Sequence, residues 1–246
     1  MKKLLCMILA LGLLAGCGAP SVQVTPPESV PMDSGTVRVQ LKDGSLTVTA
    51  PDGMAQNAVT TAYDILYDET GHGEGEAGKS HTVIHINAPG TYILSGKLEL
   101  GQIAVDLGED AKNDPSAVVT LVLDGLDLTC RVAPAIIFYN VYECGQPDGP
   151  AGANVILAPG STNRVVGSHT EEYDGALYSR MSMNIGGEGL LRIEADNEGL
   201  CSEMPLTVDS GTIAIASGND GINANADGLS VITINGGALL VHVTGG

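Results

Sequence analysis

Aromatic side chains are scarce in this chain of 246 residues: there is no tryptophan, one phenylalanine (Phe138) and seven tyrosines. Few aromatics together with 33 glycines can signal disorder. Here valine, isoleucine and leucine are plentiful, and the last third alternates apolar and polar positions, so thin apolar layers joined by many turns are expected. Cations are also few. Eleven Lys and Arg face 29 Asp and Glu, a net charge of −18 with histidines neutral. Such a chain repels nucleic acid and anionic lipid. An acidic polymer would need a cation between itself and the protein. Cysteine is sparse past Cys17: only Cys130, Cys144 and Cys201 follow, an odd number that rules out complete pairing within the chain. Cys130 and Cys144 are open to pairing outside the cytosol, while Cys201 reads as a small filler in a repeat. Helical periodicity is missing from any segment longer than about ten residues, and residues 54–67 come nearest to it. No apolar run is long enough to span a bilayer as a helix.

The last third repeats itself, and a repeat outranks local readings. GEGLLRIEADNEGLC (187–201) aligns with SGTIAIASGNDGIN (210–223) at an offset of 22, and GGALLVHV (236–243) follows at an offset of 26. Leu191, Ile213 and Leu239 then occupy one position, and Ile193, Ile215 and Val241 another. The linking stretches Met183-Asn184-Ile185, Leu206-Thr207-Val208 and Ile232-Thr233-Ile234 repeat as well. Short strands and glycine turns at this period predict an all-β fold whose coils form a parallel β-helix. Equivalent strands would pair one coil apart, at about 4.8 Å, and inward side chains would stack in columns. Each coil then buries its apolar face only with help from its neighbours. A β-sandwich is the rival architecture. Upstream, Thr36–Thr49 predicts a β-hairpin around Lys42-Asp43-Gly44. Further strands are expected at 81–87, 90–96, 102–107, 118–130 (broken at Asp124-Gly125), 135–143 and within 153–167.

The N-terminus has Lys2 and Lys3, an apolar run from Leu4 to Leu14, then Leu14-Ala15-Gly16-Cys17. Basic start, apolar middle and small residues mark a secretory signal. Its end resembles the bacterial lipoprotein lipobox. That resemblance implies cleavage before Cys17, lipid on its sulfur, and anchoring to the outer face of the bacterial cytoplasmic membrane or the cell surface; two or more acyl chains anchor stably where one does not. The expected organisation is a signal peptide (1–16), a Pro/Ser/Gly-rich flexible spacer (17–35) and one domain (36–246). The chain stops at Gly246 within a coil, which predicts an exposed strand edge.

One acidic turn recurs beside the columns: Asp196-Asn197-Glu198-Gly199 in one coil and Gly218-Asn219-Asp220-Gly221 in the next. The offset of 22 stacks Asn197 on Asn219 and Glu198 on Asp220. Stacked carboxylates raise each other's pKa or attract a cation. Calcium takes about six to eight oxygens. Asp220, Glu198, Asn219, Asn197, Asn223, Asp227 and Asp196 are the candidate ligands; a metal-free asparagine ladder is the alternative. Asn223-Ala-Asn-Ala-Asp227-Gly228 has an EF-hand rhythm, but Ile234 stands where the bidentate Glu is required, so an EF-hand is rejected. Arg192 and Tyr173 are the candidate saccharide contacts, the first an outward strand cation and the second a loop ring. His81 and His85 share a strand face, with His72 nearby, and make a weak transition-metal candidate.

Five stretches in order carry a family resemblance: residues 90–106, 119–136, 154–167, 176–195 and 206–224. They resemble the calcium-containing, carbohydrate-binding β-helix domain first described on clostridial cell-surface proteins that bind cellulose and pectic polymer. The resemblance implies a pectate-lyase-like right-handed β-helix, bound Ca2+ and polysaccharide binding without demonstrated chemistry. Asn219-Asp220-Gly221-Ile222 and Gly71-His72-Gly73 also resemble motifs of pectin-hydrolysing β-helices. Their order is wrong, however, and no Asp-Asp pair occurs anywhere. The expectation is therefore a non-catalytic surface lipoprotein that binds an acidic, plant cell-wall or cellulosic glycan with calcium. The lack of an aromatic row favours soluble or acidic glycan over crystalline cellulose. A calcium-dependent pectate lyase is the alternative, and a stiff structural or adhesive rod the third.

Overall fold

The computed structural model describes residues 35–43, 45–50, 58–65, 80–225 and 228–245. The lipobox with Cys17, the histidine His72 and the candidate ligand Asp227 lie outside the described residues. In chain order the strands are β1 (Thr36–Lys42), β2 (Ser45–Thr49), β3 (Val59–Ile65), β4 (Ser80–Ile86), β5 (Gly90–Leu98), β6 (Gly101–Asp106), β7 (Val119–Thr129), β8 (Ile136–Asn140), β9 (Ala153–Leu157) and β10 (Thr162–Gly167). They continue with β11 (Gly175–Ser179), β12 (Met183–Gly187), β13 (Leu190–Ala195), β14 (Glu198–Ser202), β15 (Leu206–Val208), β16 (Thr212–Ser217), β17 (Ile222–Ala224), β18 (Ile232–Ile234) and β19 (Ala238–Val243). A 3-10 turn at Glu109–Asn113 is the one helical element among the described residues.

Strands stack in three parallel columns. β9, β12, β15 and β18 form the first, and β10, β13, β16 and β19 the second. The third runs β4, β6, β8, β11, β14, β17. Each repeat of the sequence thus contributes one strand to each column it reaches, and every neighbour in a column is its equivalent from the adjacent repeat. The expected register holds residue by residue. Leu191 pairs with Ile213 and Ile213 with Leu239; Ile193 pairs with Ile215 and Ile215 with Val241. Met183, Leu206 and Ile232 form another such row. Parallel pairing throughout the repeats excludes the antiparallel sandwich. The inward side chains of all three columns merge into one buried cluster, because no strand set can bury its apolar face alone.

β5 and β7 are long enough to serve the first two columns at once. Val119–Leu123 pairs with β9, and Asp127–Thr129 with β10. The expected break at Asp124-Gly125 is an irregularity within β7: its register against β5 shifts there, and Gly125 takes φ 82°. Only glycine enters that region without a steric cost. The shift frees the amides of Gly125 and Leu126 from the ladder, and both donate to Asn163 Oδ1 at 2.9 Å. Asn163 is fully buried in the same inward row as Leu191 and Ile213. Its Nδ2 donates to Ser161 Oγ at 2.8 Å and the Leu190 carbonyl at 3.2 Å.

At the opposite end of the columns from the repeats, the predicted hairpin forms. β1 and β2 pair antiparallel, and β1 lies parallel to β5. Residues 59–65, within the stretch nearest to helical periodicity, are strand β3, antiparallel to β4. β-branched Val59, Thr60, Thr61 and Ile65 favour the extended form, and β4 offers an edge to pair with. In the last repeat, Ile232, Ile234, Val241 and Val243 are exposed. Cys130 and Cys201 are buried, Cys144 is half-buried, and none of the three is in a disulfide.

Candidate functional site

The acidic turns stack through their backbones as the offset of 22 requires: Asn219 N–H donates to the Asn197 carbonyl at 2.8 Å, and Gly199 N–H to the Asp220 carbonyl at 3.0 Å. Their side chains part company. Glu198 is buried, 4% exposed, whereas Asp220 and Asn219 face solvent. Asn223 Nδ2 donates to Glu198 Oε1 at 2.6 Å, and Glu198 Oε2 is buried with no hydrogen-bond partner among the described residues. The Cys201 thiol adjoins this carboxylate. Burial first, then the contact and charge of Glu198, push that thiol far above its ordinary pKa, so it is inert. Asn225 Nδ2 lies 3.7 Å from its sulfur. Asn197 turns instead to the Asp174 carbonyl at 3.2 Å. Asp196 accepts from Ser168 Oγ and from the His169 amide at 3.0 Å, with His169 Nδ1 3.2 Å from its Oδ2. Of the seven sequence-derived candidates, the structure joins Glu198 and Asn223 directly and leaves Asp196, Asn197, Asn219 and Asp220 with other partners or in solvent. Among the described residues no three His, Cys, Asp or Glu side chains gather as a metal cluster, at these turns or at His81 and His85.

A second feature gathers around Tyr173, the loop ring expected from the sequence as a saccharide contact, together with two tyrosines that no sequence spacing links to it. Tyr139, Tyr173 and Tyr178 meet on the outward face of the third column. Ring centroids of Tyr139 and Tyr173 are 5.7 Å apart at 79°, and those of Tyr173 and Tyr178 5.2 Å apart at 62°, both edge-to-face. That geometry suits the ring quadrupoles. Tyr178 is buried in a satellite cluster with Ile137 and Cys201, while Tyr139 and Tyr173 are half-exposed. Tyr173 arrives on the loop between β10 and β11. The Thr170 hydroxyl accepts from the amides of Glu172 (3.2 Å) and Tyr173 (3.0 Å), and Thr170 N–H donates to the Tyr173 carbonyl at 2.8 Å. This local turn folds the loop back over the sheet. Polar groups surround the rings. Tyr178 donates to Glu203 Oε1 at 3.1 Å, Arg180 Nε lies 3.4 Å from the same oxygen, and Asn140 donates to Asp106 at 2.9 Å. Burial raises the phenol pKa of all three tyrosines, with Glu172 adding to the effect at Tyr173 and Tyr139 and Glu203 at Tyr178. They remain neutral donors at any physiological pH.

A third feature is a groove of about 580 Å³ on the outward face of the second column, bordered by Arg131, Ser168, Glu194 and Asp196. Its floor includes Val166 and Ala216, which flank Glu194 in one row across the strands. Arg192 lies two residues from Glu194 on the same outward face and is exposed, as expected for an alternating strand.

Comparison with known proteins gives three findings. The model of a family described as carbohydrate-binding domain-containing protein matches residues 80–246. An Acetivibrio thermocellus protein of that same description is 28% identical over 137 residues, 55% of this chain, and the match spans 46% of that relative's length. Among solved structures, the chain is similar to the polysaccharide lyase-like protein from C. thermocellum, determined as a gadolinium derivative, with 16% identity, coverage of 84% of this chain and 82% of that chain, and a TM-score of 0.48.

Proposed function

The chain belongs to the carbohydrate-binding domain-containing protein family, and from that membership we propose that it is a non-catalytic surface lipoprotein that holds polysaccharide on a right-handed parallel β-helix. The coil reading is supported by the three columns, in which each repeat lies on the next. The observation that carries the binding role is the tyrosine cluster. Tyr173 and Tyr139 offer half-exposed rings beside Glu203, Arg180 and Asn140, which is apolar surface for a sugar face next to donors and acceptors for its hydroxyls. Such a mixture of aromatic wall and few convergent polar groups is the usual chemistry of a ligand site. Retention on a panel of pectic, cellulosic and other cell-wall glycans tests it. Tyr173→Ala should weaken the best ligand about tenfold, the scale of an interface anchor. Undiminished retention would discard the cluster as the site, and release of unsaturated uronate from pectate would replace binding with elimination.

Calcium is proposed at Glu198. The fit there is partial: the buried, unpartnered Oε2 and the neighbouring Asn223 supply two donors, fewer than the six to eight or so that calcium takes. Backbone carbonyls, water and Asp227 would have to complete the set. Wild-type protein should lose thermal stability on EDTA treatment, whereas Glu198→Gln should melt alike with and without the chelator. A wild-type melting curve indifferent to calcium would remove the ion from this reading.

Export and anchoring through Cys17 are proposed from the lipobox alone. The expressed wild type should partition into the detergent phase and Cys17→Ser into the aqueous phase. Equal partition of both would remove the anchor.

A further inference from the structure

We propose that the groove beside β13 is a second saccharide site, which grips an anionic substituent of the glycan directly through Arg131 and needs no metal. This rests on the polysaccharide-binding reading and adds to it a site and a ligand chemistry. The inference comes from pairing the charges on that face one by one. Arg164 is committed: its Nε and Nη2 bond Glu194 at 3.0 and 3.1 Å, and its Nη1 bonds Asp127 at 3.2 Å. Lys97 is committed to Glu99 at 2.6 Å, with Asp127 at 3.9 Å. Glu194 is therefore neutralised by Arg164, and Asp196 accepts hydrogen bonds from the Ser168 hydroxyl and the His169 amide. Both carboxylates that border the groove already have their donors.

Arg131 and Arg192 are left over. Neither has a hydrogen bond or ion pair among the described residues, although the chain carries far more acids than bases. Arg131 stands just beyond the end of β7 at one border of the groove, whereas Arg192 sits on β13 paired across the strands with Arg164 and does not border it. The volume of about 580 Å³ lies within the range of small-ligand sites. A guanidinium presents a planar fork that matches a carboxylate or an oxyanion in two parallel hydrogen bonds. A free fork at the border of the groove, with the nearby carboxylates already hydrogen-bonded, fits a saccharide bearing a carboxylate or a sulfate. Neutral sugars would leave the fork unused, and the overall negative charge would repel anionic ligands from every part of the surface that lacks such a cation.

Affinity measurements in EDTA with the full chain test this. The probes are an oligogalacturonate, its fully methyl-esterified form and a sulfated oligosaccharide of similar length. Wild type should bind an anionic probe and lose about tenfold or more on esterification. Arg131→Gln should remove that preference while binding the ester as wild type does, and Arg131→Lys should restore part of it, since charge returns without the fork. A higher affinity for the uronate than the sulfate identifies the carboxylate as the natural group, and the reverse identifies the sulfate. An Arg131→Gln protein that keeps the preference, or loses both probes equally with an unchanged melting temperature, overturns the site. A wild type that binds none of the probes and no glycan on the wider panel overturns the polysaccharide reading itself, so the two failures are told apart.

Discussion

Asn163→Ala should lower stability by about 3 kcal/mol, which for a chain this size corresponds to a fall in melting temperature of roughly 6–12 °C. Asn163 occupies an inward row that is leucine or isoleucine in the following repeats, yet it is fully buried. The reason lies in β7. Its irregularity at Asp124-Gly125 takes two amides out of the ladder, and one side-chain oxygen accepts both. After truncation, the Gly125 amide sits at an exposed position and can turn to water. The Leu126 amide is buried and cannot, and leaving such a donor unpaired costs about 1–3 kcal/mol. Loss of the Nδ2 bonds to Ser161 and Leu190 and the small void left behind supply the rest. Asn163→Leu makes the contrast sharper. It restores the apolar row but not the acceptor, so it too should destabilise. Thermal denaturation of the three proteins decides the matter: a leucine variant as stable as wild type would show that the row, and not the two amides, sets the residue.

Gly199→Ala should cost a similar amount, about 3 kcal/mol, for the opposite physical reason. A Cβ at Gly199 would overlap Ile215 Cγ2 and come within 2.6 Å of the Gly221 carbonyl oxygen. Ile215 is a buried core residue of the next repeat, and the other contact is backbone, so neither can give way cheaply. Overpacking of this kind typically costs about 1–3 kcal/mol, occasionally more. Gly221 repeats the arrangement one rung on, where an added Cβ would strike Val241 Cγ1. Val241 is partly exposed, so Gly221→Ala should be the milder change. Chemical denaturation of both variants tests the ranking. If Gly221→Ala proves the more damaging, packing from the next rung is not what demands glycine at these turns.

Much of the fold can be read along the chain, because the repeat is a property of the chain. The offsets of 22 and 26 state which residues share a row, and the observed pairings of Leu191 with Ile213 and Ile213 with Leu239 are those rows. The hairpin at Thr36–Thr49 is legible for a local reason, two alternating runs around a turn. Strand β3 was masked by its neighbourhood: seven residues carry too little alternation to reveal a strand whose partner, β4, lies beyond an intervening stretch of the chain.

The candidate sites divide along the same line. Repetition of the acidic turn is visible in the sequence, and its backbone stacks as the repeat demands. Side-chain direction at a turn is not periodic, so burial of Glu198 beside Asn223 and exposure of Asp220 depended on the tertiary packing. Tyr139, Tyr173 and Tyr178 come from one strand, one loop and another strand, and no sequence spacing signals that Thr170 folds the loop to bring them together. Arg131 is legible as a cation, but only the pairing of every neighbouring charge shows that it has no partner among the described residues. From its sequence alone this protein was committed to stacked parallel strands, because inward side chains recur at a period that each repeat must share with the next. Which polar groups ended up buried, satisfied or exposed was decided in three dimensions, because those contacts join residues from different repeats whose directions no period encodes.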